Sequence, residues 1–157
     1  MGHSHVRFRA TLHAPIELVF AQLTDHEDMR NWPGVTDCRL IREGTPRNGV
    51  GAIRVVSHPL HSVTEEVNLY EPPHRFGYSI IKGPPIRHQG TVTLVERGER
   101  TELEWDVKLS SRIPLLAQVL GRFVKRGLGH VFATYFIPKV EAAARSGTRP
   151  SGPQSVS

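Results

Sequence analysis

Arg54 and Glu65 are the two residues of this 157-residue chain whose types and spacing best suit polar chemistry in an apolar setting. Val63, Glu65, Val67 and Leu69 share one parity of an alternating run, which turns the Glu65 carboxylate toward the apolar side. Desolvation there disfavours the charged form unless a cation sits beside it. Arg54, on the preceding strand candidate, can be that cation. It can equally hold a ligand carboxylate, enolate or phosphate through a bidentate contact. If both residues lie at strand ends in solvent, neither role applies, and a bulge would reverse the parity. Trp32, Tyr78 and Trp105 are candidate pocket aromatics. Tyr78 and Trp105 join a polar donor to a large apolar body, which suits either orienting a ligand or packing a core. Tyr78 shares parity with Phe76 and Ile80 and faces inward in both cases.

Other chemistries find less support. Nine histidines invite a metal site, yet the closest pair, His58 and His61, straddles a proline with no carboxylate or thiol at a recognised spacing. No metal is expected. His88 and His130 read as surface or rim residues. The single cysteine, Cys38, has no histidine placed by sequence to activate it. No Gly-x-Ser-x-Gly elbow occurs. Gly49-Val-Gly51 opens a strand and precedes no helix, so it is not a dinucleotide fingerprint. No cofactor is expected.

The elements that must position these residues follow from periodicity. Val6, Phe8, Ala10 and Leu12 alternate with Arg7, Arg9 and Thr11, which predicts a half-buried strand over 5–13. Pro15 suits a helix start, and Ile16, Val19, Phe20 and Leu23 form one helical stripe. A short helical piece covers Asp25–Asn31, and Trp32-Pro33-Gly34 ends it. Strand candidates follow at Val35–Arg42, Val50–Ser57, Val63–Tyr70, Arg75–Lys82, His88–Val95 and Thr101–Leu109, separated by turn signals, as in an antiparallel meander. In the last, Leu103, Trp105, Val107 and Leu109 oppose Glu102, Glu104, Asp106 and Lys108, so one face of the sheet is dry. Pro114–Arg145 is helical. Leu116, Leu120, Phe123, Val124, Leu128, Val131 and Tyr135 form its apolar side, with Arg122, Lys125 and Arg126 opposite. Pro138 should bend or interrupt it. Such a helix buries its stripe by lying across the dry face. Gly127, within that stripe, costs about 1 kcal/mol against alanine. Empty volume beside the sheet would explain it, as would close helix–sheet packing or a kink shared with Gly129.

A chain of this length suits one domain, here residues 1–145, with 146–157 a Ser/Gly/Pro-rich tail expected to be disordered. The lone cysteine favours a reducing compartment. With no signal-like or membrane-length apolar run, the protein reads as cytoplasmic, with transient membrane contact still open. The net charge of +5 is spread along the sequence without a basic block, so no nucleic-acid partner is expected.

This order of elements resembles the START-related helix-grip superfamily (SRPBCC), which includes polyketide cyclase/dehydrase-like and lipid-transfer-like proteins. The local wording is similar too: Ala14-Pro-Ile-Glu-Leu-Val-Phe20, Leu23-Thr-Asp-His-Glu27, Trp32-Pro-Gly-Val35, Gly49-Val-Gly51 with Arg54, Glu65-Glu-Val67, Glu71-Pro-Pro73 and Thr101-Glu-Leu-Glu-Trp105. The resemblance implies an α+β helix-grip fold. A curved seven-stranded antiparallel sheet, two short helices and one long C-terminal helix would enclose an apolar cavity. Residues expected at that cavity are Phe20, Trp32, Arg54, Glu65, Tyr78, Ile80, Trp105, Val124, Gly127, Leu128 and Val131. Binding of a small hydrophobic or amphipathic ligand, of lipid, polyketide or isoprenoid type, requires only the cavity and is the first expectation. The alternative is a polyketide cyclase, aromatase or dehydratase in which Arg54 and Tyr78 stabilise an enolate and Glu65 moves a proton. The oligomeric state is left open.

Overall fold

The computed structural model describes residues 2–147. Seven strands form one antiparallel sheet: β1 (Gly2–Leu12), β2 (Asp37–Arg42), β3 (Ile53–Ser57), β4 (Ser62–Glu71), β5 (Arg75–Lys82), β6 (Arg87–Arg97) and β7 (Arg100–Ser111). Their order is β1-β7-β6-β5-β4-β3-β2, so the chain meanders from β2 to β7 and β1 closes the far edge beside β7. Between β1 and β2 the chain crosses from one edge to the other through α1 (Ile16–Leu23) and a 3-10 helix (His26–Asn31). After β7 come α2 (Leu116–Val131), a π-helical turn (Phe132–Phe136) and α3 (Ile137–Ser146). This is the helix-grip arrangement. No helix among the described residues is long and apolar enough to cross a membrane.

Alternation sets the sheet's two faces. Leu103, Trp105, Val107 and Leu109 of β7 are buried, while Glu102, Glu104 and Lys108 point outward. On the outer face, Arg9 Nε donates to Glu104 Oε2 at 2.9 Å from the directly opposed position on β1. Opposite charges facing each other across strands favour this register.

The long helix is not uniformly packed. Phe132 and Phe136 are buried, with ring centroids 4.6 Å apart, and Phe132 also meets Phe8 and Trp105. In α2, by contrast, only Ala117, Gly121 and Val131 are buried. Pro138 lies in the first turn of α3, directly after the π turn. It lacks the N–H for a bond to the fourth residue back, and the widened turn absorbs that mismatch. The Asp28 carboxylate ties the crossover to the C-terminal helix. It accepts from Gln22 Nε2 at 2.6 Å, Asn31 Nδ2 at 3.1 Å, Tyr135 Oη at 2.9 Å and Lys139 Nζ at 2.5 Å.

Several elements differ from the sequence reading: the first strand, expected over 5–13, spans Gly2–Leu12, and the long helix expected from Pro114 begins at Leu116. The strand expected from Val50 begins at Ile53, because Gly51 takes a φ of +90° inside a turn. The strand expected from Val35 begins at Asp37, since the Trp32 carbonyl binds the Val35 N–H and extends the turn. The helical piece before it is a 3-10 helix, capped by the Asp25 side chain on the Asp28 N–H. Within the expected tail, Ser146 ends α3 and Gly147 caps it. Residues 148–157 lie outside the described residues.

The tight helix–sheet contact falls at Gly121. A Cβ there would collide with Ser4 Oγ and lie 3.3 Å from both Ser4 Cβ and Val6 Cγ2, whereas a Cβ on Gly127 would meet nothing within 4 Å. Gly121→Leu should therefore lower stability by about 1–3 kcal/mol through overpacking. Thermal melting checks this; an unchanged midpoint would mean that α2 is not pressed against β1.

Candidate functional site

Because α2 is pinned at Gly121 and again at Val131, the half-buried side chains between them roof a space above the sheet. The space is a cavity of about 460 Å³. That volume lies within the usual range of small-molecule pockets. Ten of the eleven residues expected at a cavity line it: Trp32, Arg54, Glu65, Tyr78, Ile80, Trp105, Val124, Gly127, Leu128 and Val131. Phe20 does not. It is buried edge-on to Tyr70, with ring centroids 5.3 Å apart, because the α1 stripe packs into the core away from the cavity. Sequence reasoning passed over Met29, Leu109, Phe123 and His88, all of which line the cavity. His88 was readable: it shares parity with Gly90 and Val92, which are buried, so it points inward and is not a surface residue.

The polar centre of the wall is an ion pair. Arg54 on β3 and Glu65 on β4 are directly opposed in register and only 2% and 7% exposed. Arg54 Nε donates to Glu65 Oε2 at 2.7 Å, and Nη2 lies 2.6 Å from the same oxygen. The guanidinium also sits over the Phe76 and Tyr78 rings, 5.8 and 5.4 Å from their centroids. His26 completes the group. Its Nε2 lies 3.0 Å from the Asn48 carbonyl oxygen, which can only accept, so Nε2 carries the proton. Nδ1 is then free to accept from Arg54 Nη1 at 2.8 Å. Burial, and then the neighbouring Arg54 charge, push the His26 pKa down to about 3. Of the two roles open to Arg54 from the sequence, the structure shows the internal partner of Glu65. Cys38, on the adjoining β2, is buried, and that burial raises its thiol to about 11, so it carries no thiolate at neutral pH.

Next to the ion pair, Tyr78 Oη and His88 Nε2 share a hydrogen bond of 3.1 Å. Gly90 makes room for this tyrosine. It lies opposite Tyr78 in the β5–β6 pairing, and a Cβ on it would occupy the phenol ring. Burial, followed by the Glu65 charge, raises the Tyr78 hydroxyl, which stays protonated. Burial lowers His88, with Glu65 opposing, so its ring is neutral at neutral pH. The indole N–H groups of Trp32 and Trp105 are buried without a hydrogen-bond partner among the described residues. The Trp105 indole would favour a phenolate at Tyr78, yet it makes no hydrogen bond of ordinary geometry to the neutral hydroxyl. The wall thus combines one self-neutralised ion pair, one neutral acid–base pair and two unused donors.

Removing one member of a buried ion pair leaves the other uncompensated, a loss of about 3–5 kcal/mol, whereas replacing both by apolar residues is often near neutral. Glu65→Gln should destabilise strongly, and a combined Arg54→Met, Glu65→Leu variant should recover much of the loss. Denaturant titration of the cycle checks this; additive effects would show that the pair is not coupled. The His26 shift has a definite sign as well. Its folded pKa lies below its unfolded value near 6.5, so the unfolded chain binds the extra proton and stability falls as pH drops from about 6.5 toward 3. The slope is roughly 1 kcal/mol per pH unit for this one group. His26→Gln keeps an acceptor and a donor and should flatten that limb, leaving the contribution of His88. Melting between pH 7 and 4 tests it, and parallel curves would remove His26 as the cause.

The fold has clear relatives among solved structures. An aromatase/cyclase from Streptomyces sp. R1128, ZhuI, is 20% identical with a TM-score of 0.66 over 96% of this chain and 99% of its own. A START superfamily protein from Mycobacterium smegmatis is 16% identical with a TM-score of 0.68, covering 94% of this chain and 100% of its own. A norcoclaurine synthase point mutant from Thalictrum flavum, solved with a transition-state analogue, is 14% identical with a TM-score of 0.71 over 88% and 94%. At these identities the likeness is one of fold. No curated protein sequence matches the chain. The sequence profile described as polyketide cyclase/dehydrase and lipid transport matches residues 3–135, and the chain belongs to that family.

Proposed function

We propose that the chain binds a small hydrophobic or amphipathic ligand, of lipid, polyketide or isoprenoid type, in the cavity beneath α2. The observation that carries this reading is the cavity of about 460 Å³ itself, walled by Trp32, Tyr78, Ile80 and Trp105 and roofed by the half-buried Val124 and Leu128. The wall favours a ligand without net charge, because Glu65 already neutralises Arg54 and both nearby histidines are held neutral. The unpartnered indoles of Trp32 and Trp105 suit a carbonyl, ether or hydroxyl oxygen, since a buried donor left unpaired costs about 1–3 kcal/mol.

A second reading, a cyclase, aromatase or dehydratase working in the same pocket, is favoured by the Tyr78–His88 pair. Neutral His88 can take a proton from carbon beside a ketone, while Tyr78 donates to the enolate oxygen. Arg54 and Glu65 would then shape the field around that oxygen. Mass spectrometry of whatever co-purifies with the protein, together with turnover assays on poly-β-keto thioesters, separates carrier from catalyst. His88→Gln and Tyr78→Phe should abolish turnover while an uncharged apolar dye still binds, if the enzyme reading holds.

For the carrier reading, Gly127→Leu should cut the affinity for a neutral fluorescent dye such as Nile red by tenfold or more. The melting temperature should hold or rise, because leucine is a better helix former than glycine by several tenths of a kcal/mol. Full uptake by that variant would mean that the space beneath α2 is not where the dye binds.

A further inference from the structure

We propose that the mouth of the cavity is a docking face for an anionic phospholipid bilayer. The inference rests on the surface around the opening and goes beyond any reading of what the cavity holds. Three segments frame the mouth: the β3–β4 turn, the β5–β6 turn and the stretch from β7 into α2. His58 and His61 of the first, Pro84 and Ile86 of the second, and Phe123 of the third line one opening. Ser111 Oγ donates to the Pro85 carbonyl at 3.0 Å and fastens the third segment to the second.

This rim is apolar where a free surface has no reason to be. Leu60, at the tip of the first turn, is 96% exposed; Leu115 is 69% and Phe123 64% exposed, and Ile113 and Val119 are also largely in solvent. Leu115 occupies a left-handed backbone position, with φ of 63°. That conformation suits glycine far better than leucine, so an exposed leucine there has no local justification. Large side chains gathered on one rim mark an interaction site, whereas scattered ones do not.

Charge selects the partner. The stretches 57–62, 82–87 and 107–140 contain no aspartate or glutamate. They carry Lys82, Arg87, Arg112, Arg122, Lys125 and Arg126, all exposed and none in an ion pair among the described residues. Asp37, opposite Ser57 at the base of the first turn, already faces Arg39 at 3.5 Å. Apolar side chains flanked by unpaired cations are the two signals that together hold a protein on a membrane surface, one inserting among acyl chains and the other reading anionic headgroups. The opening would then face the bilayer, and an apolar ligand could pass without crossing water.

Co-sedimentation of the full chain with vesicles tests this. Binding is expected to equimolar phosphatidylcholine and phosphatidylglycerol and not to phosphatidylcholine alone, with affinity falling at least tenfold as salt rises from about 50 to about 500 mM. Arg122→Gln with Arg126→Gln should weaken vesicle binding roughly tenfold or more. Leu60→Ser with Leu115→Ser should do likewise while leaving Nile red uptake from solution unchanged, since neither leucine lines the cavity. The proposal falls if anionic vesicles are not bound at low salt. It falls also if the leucine pair has no effect and heparin is retained equally well, which would make the face a plain polyanion patch. A dimer in solution that the leucine pair dissolves would assign the rim to a second copy and overturn it too. Loss of dye uptake with vesicle binding intact would instead count against the cavity reading alone.

Discussion

The buried contact between Arg54 and Glu65 constrains this structure more than any other. Two charges in an apolar wall are tolerable only when they face each other closely and their remaining hydrogen-bonding capacity is used. The β3–β4 pairing supplies the first condition by placing the two residues directly opposite. His26, arriving from the far side of the crossover, supplies part of the second. A register slip of one residue would turn one of the two side chains to the outer face and leave its partner buried alone. The ion pair therefore fixes the hairpin, and the hairpin fixes the inner faces of β4 and β5 where Tyr78 and Ile80 stand.

The same pair explains how a cavity can contain an arginine and still favour an uncharged guest. Glu65 cancels its charge, His26 cannot protonate beside it, and the aromatic faces of Phe76 and Tyr78 cover the guanidinium. An incoming carboxylate would have to compete with Glu65 for a cation already held at 2.6 Å. A carbonyl or hydroxyl oxygen faces no such competition at the indoles. Empty volume is maintained separately, by a helix fixed at two points. Gly121 lets α2 touch β1, and the Phe132–Phe136 stack anchors the turn beyond Val131. Asp28, gripping Tyr135 and Lys139, prevents the C-terminal half from drifting.

Much of this was legible in the sequence, and the reason is periodicity. Period two in β4 and β7 placed Glu65 and Trp105 inward, and the 3.6-residue stripe placed Val124, Gly127 and Leu128 over the sheet. The alternation around His88 carried the same information but was outweighed by the usual habit of histidine at surfaces. Other features had no periodic signal. His26 lies in a 3-10 helix too short for one, and its partner Asn48 is in a turn 22 residues away. Gly90 and Tyr78 depend on each other across two strands, so neither explains itself alone. Of the three glycines on α2, Gly121, Gly127 and Gly129, the apolar stripe pointed to Gly127 but could not say which was the contact. Only the placement of Ser4 shows that Gly121 is.

Charge gives the sharpest case of information created by folding. Along the sequence the basic residues look evenly spread, and no run suggests a binding arm. Folding brings two turns and one helix to the same end of the sheet, and those three segments are the ones without acids. The acidic residues fall elsewhere: Glu71, Glu96 and Glu99 lie at the opposite strand ends, and Glu104 and Asp106 on the outer face beside Arg7 and Arg9. An antiparallel meander returns every second turn to the same end, so alternate connections can carry opposite character without any long like-charged block. The result is a molecule with a cationic, apolar mouth and a nearly neutral interior. Long-range attraction then acts on the surface that the mouth approaches, while the wall inside discriminates by desolvation. An anion drawn to the rim meets no unpaired cation deeper in, so charge is read outside the cavity and shape within it.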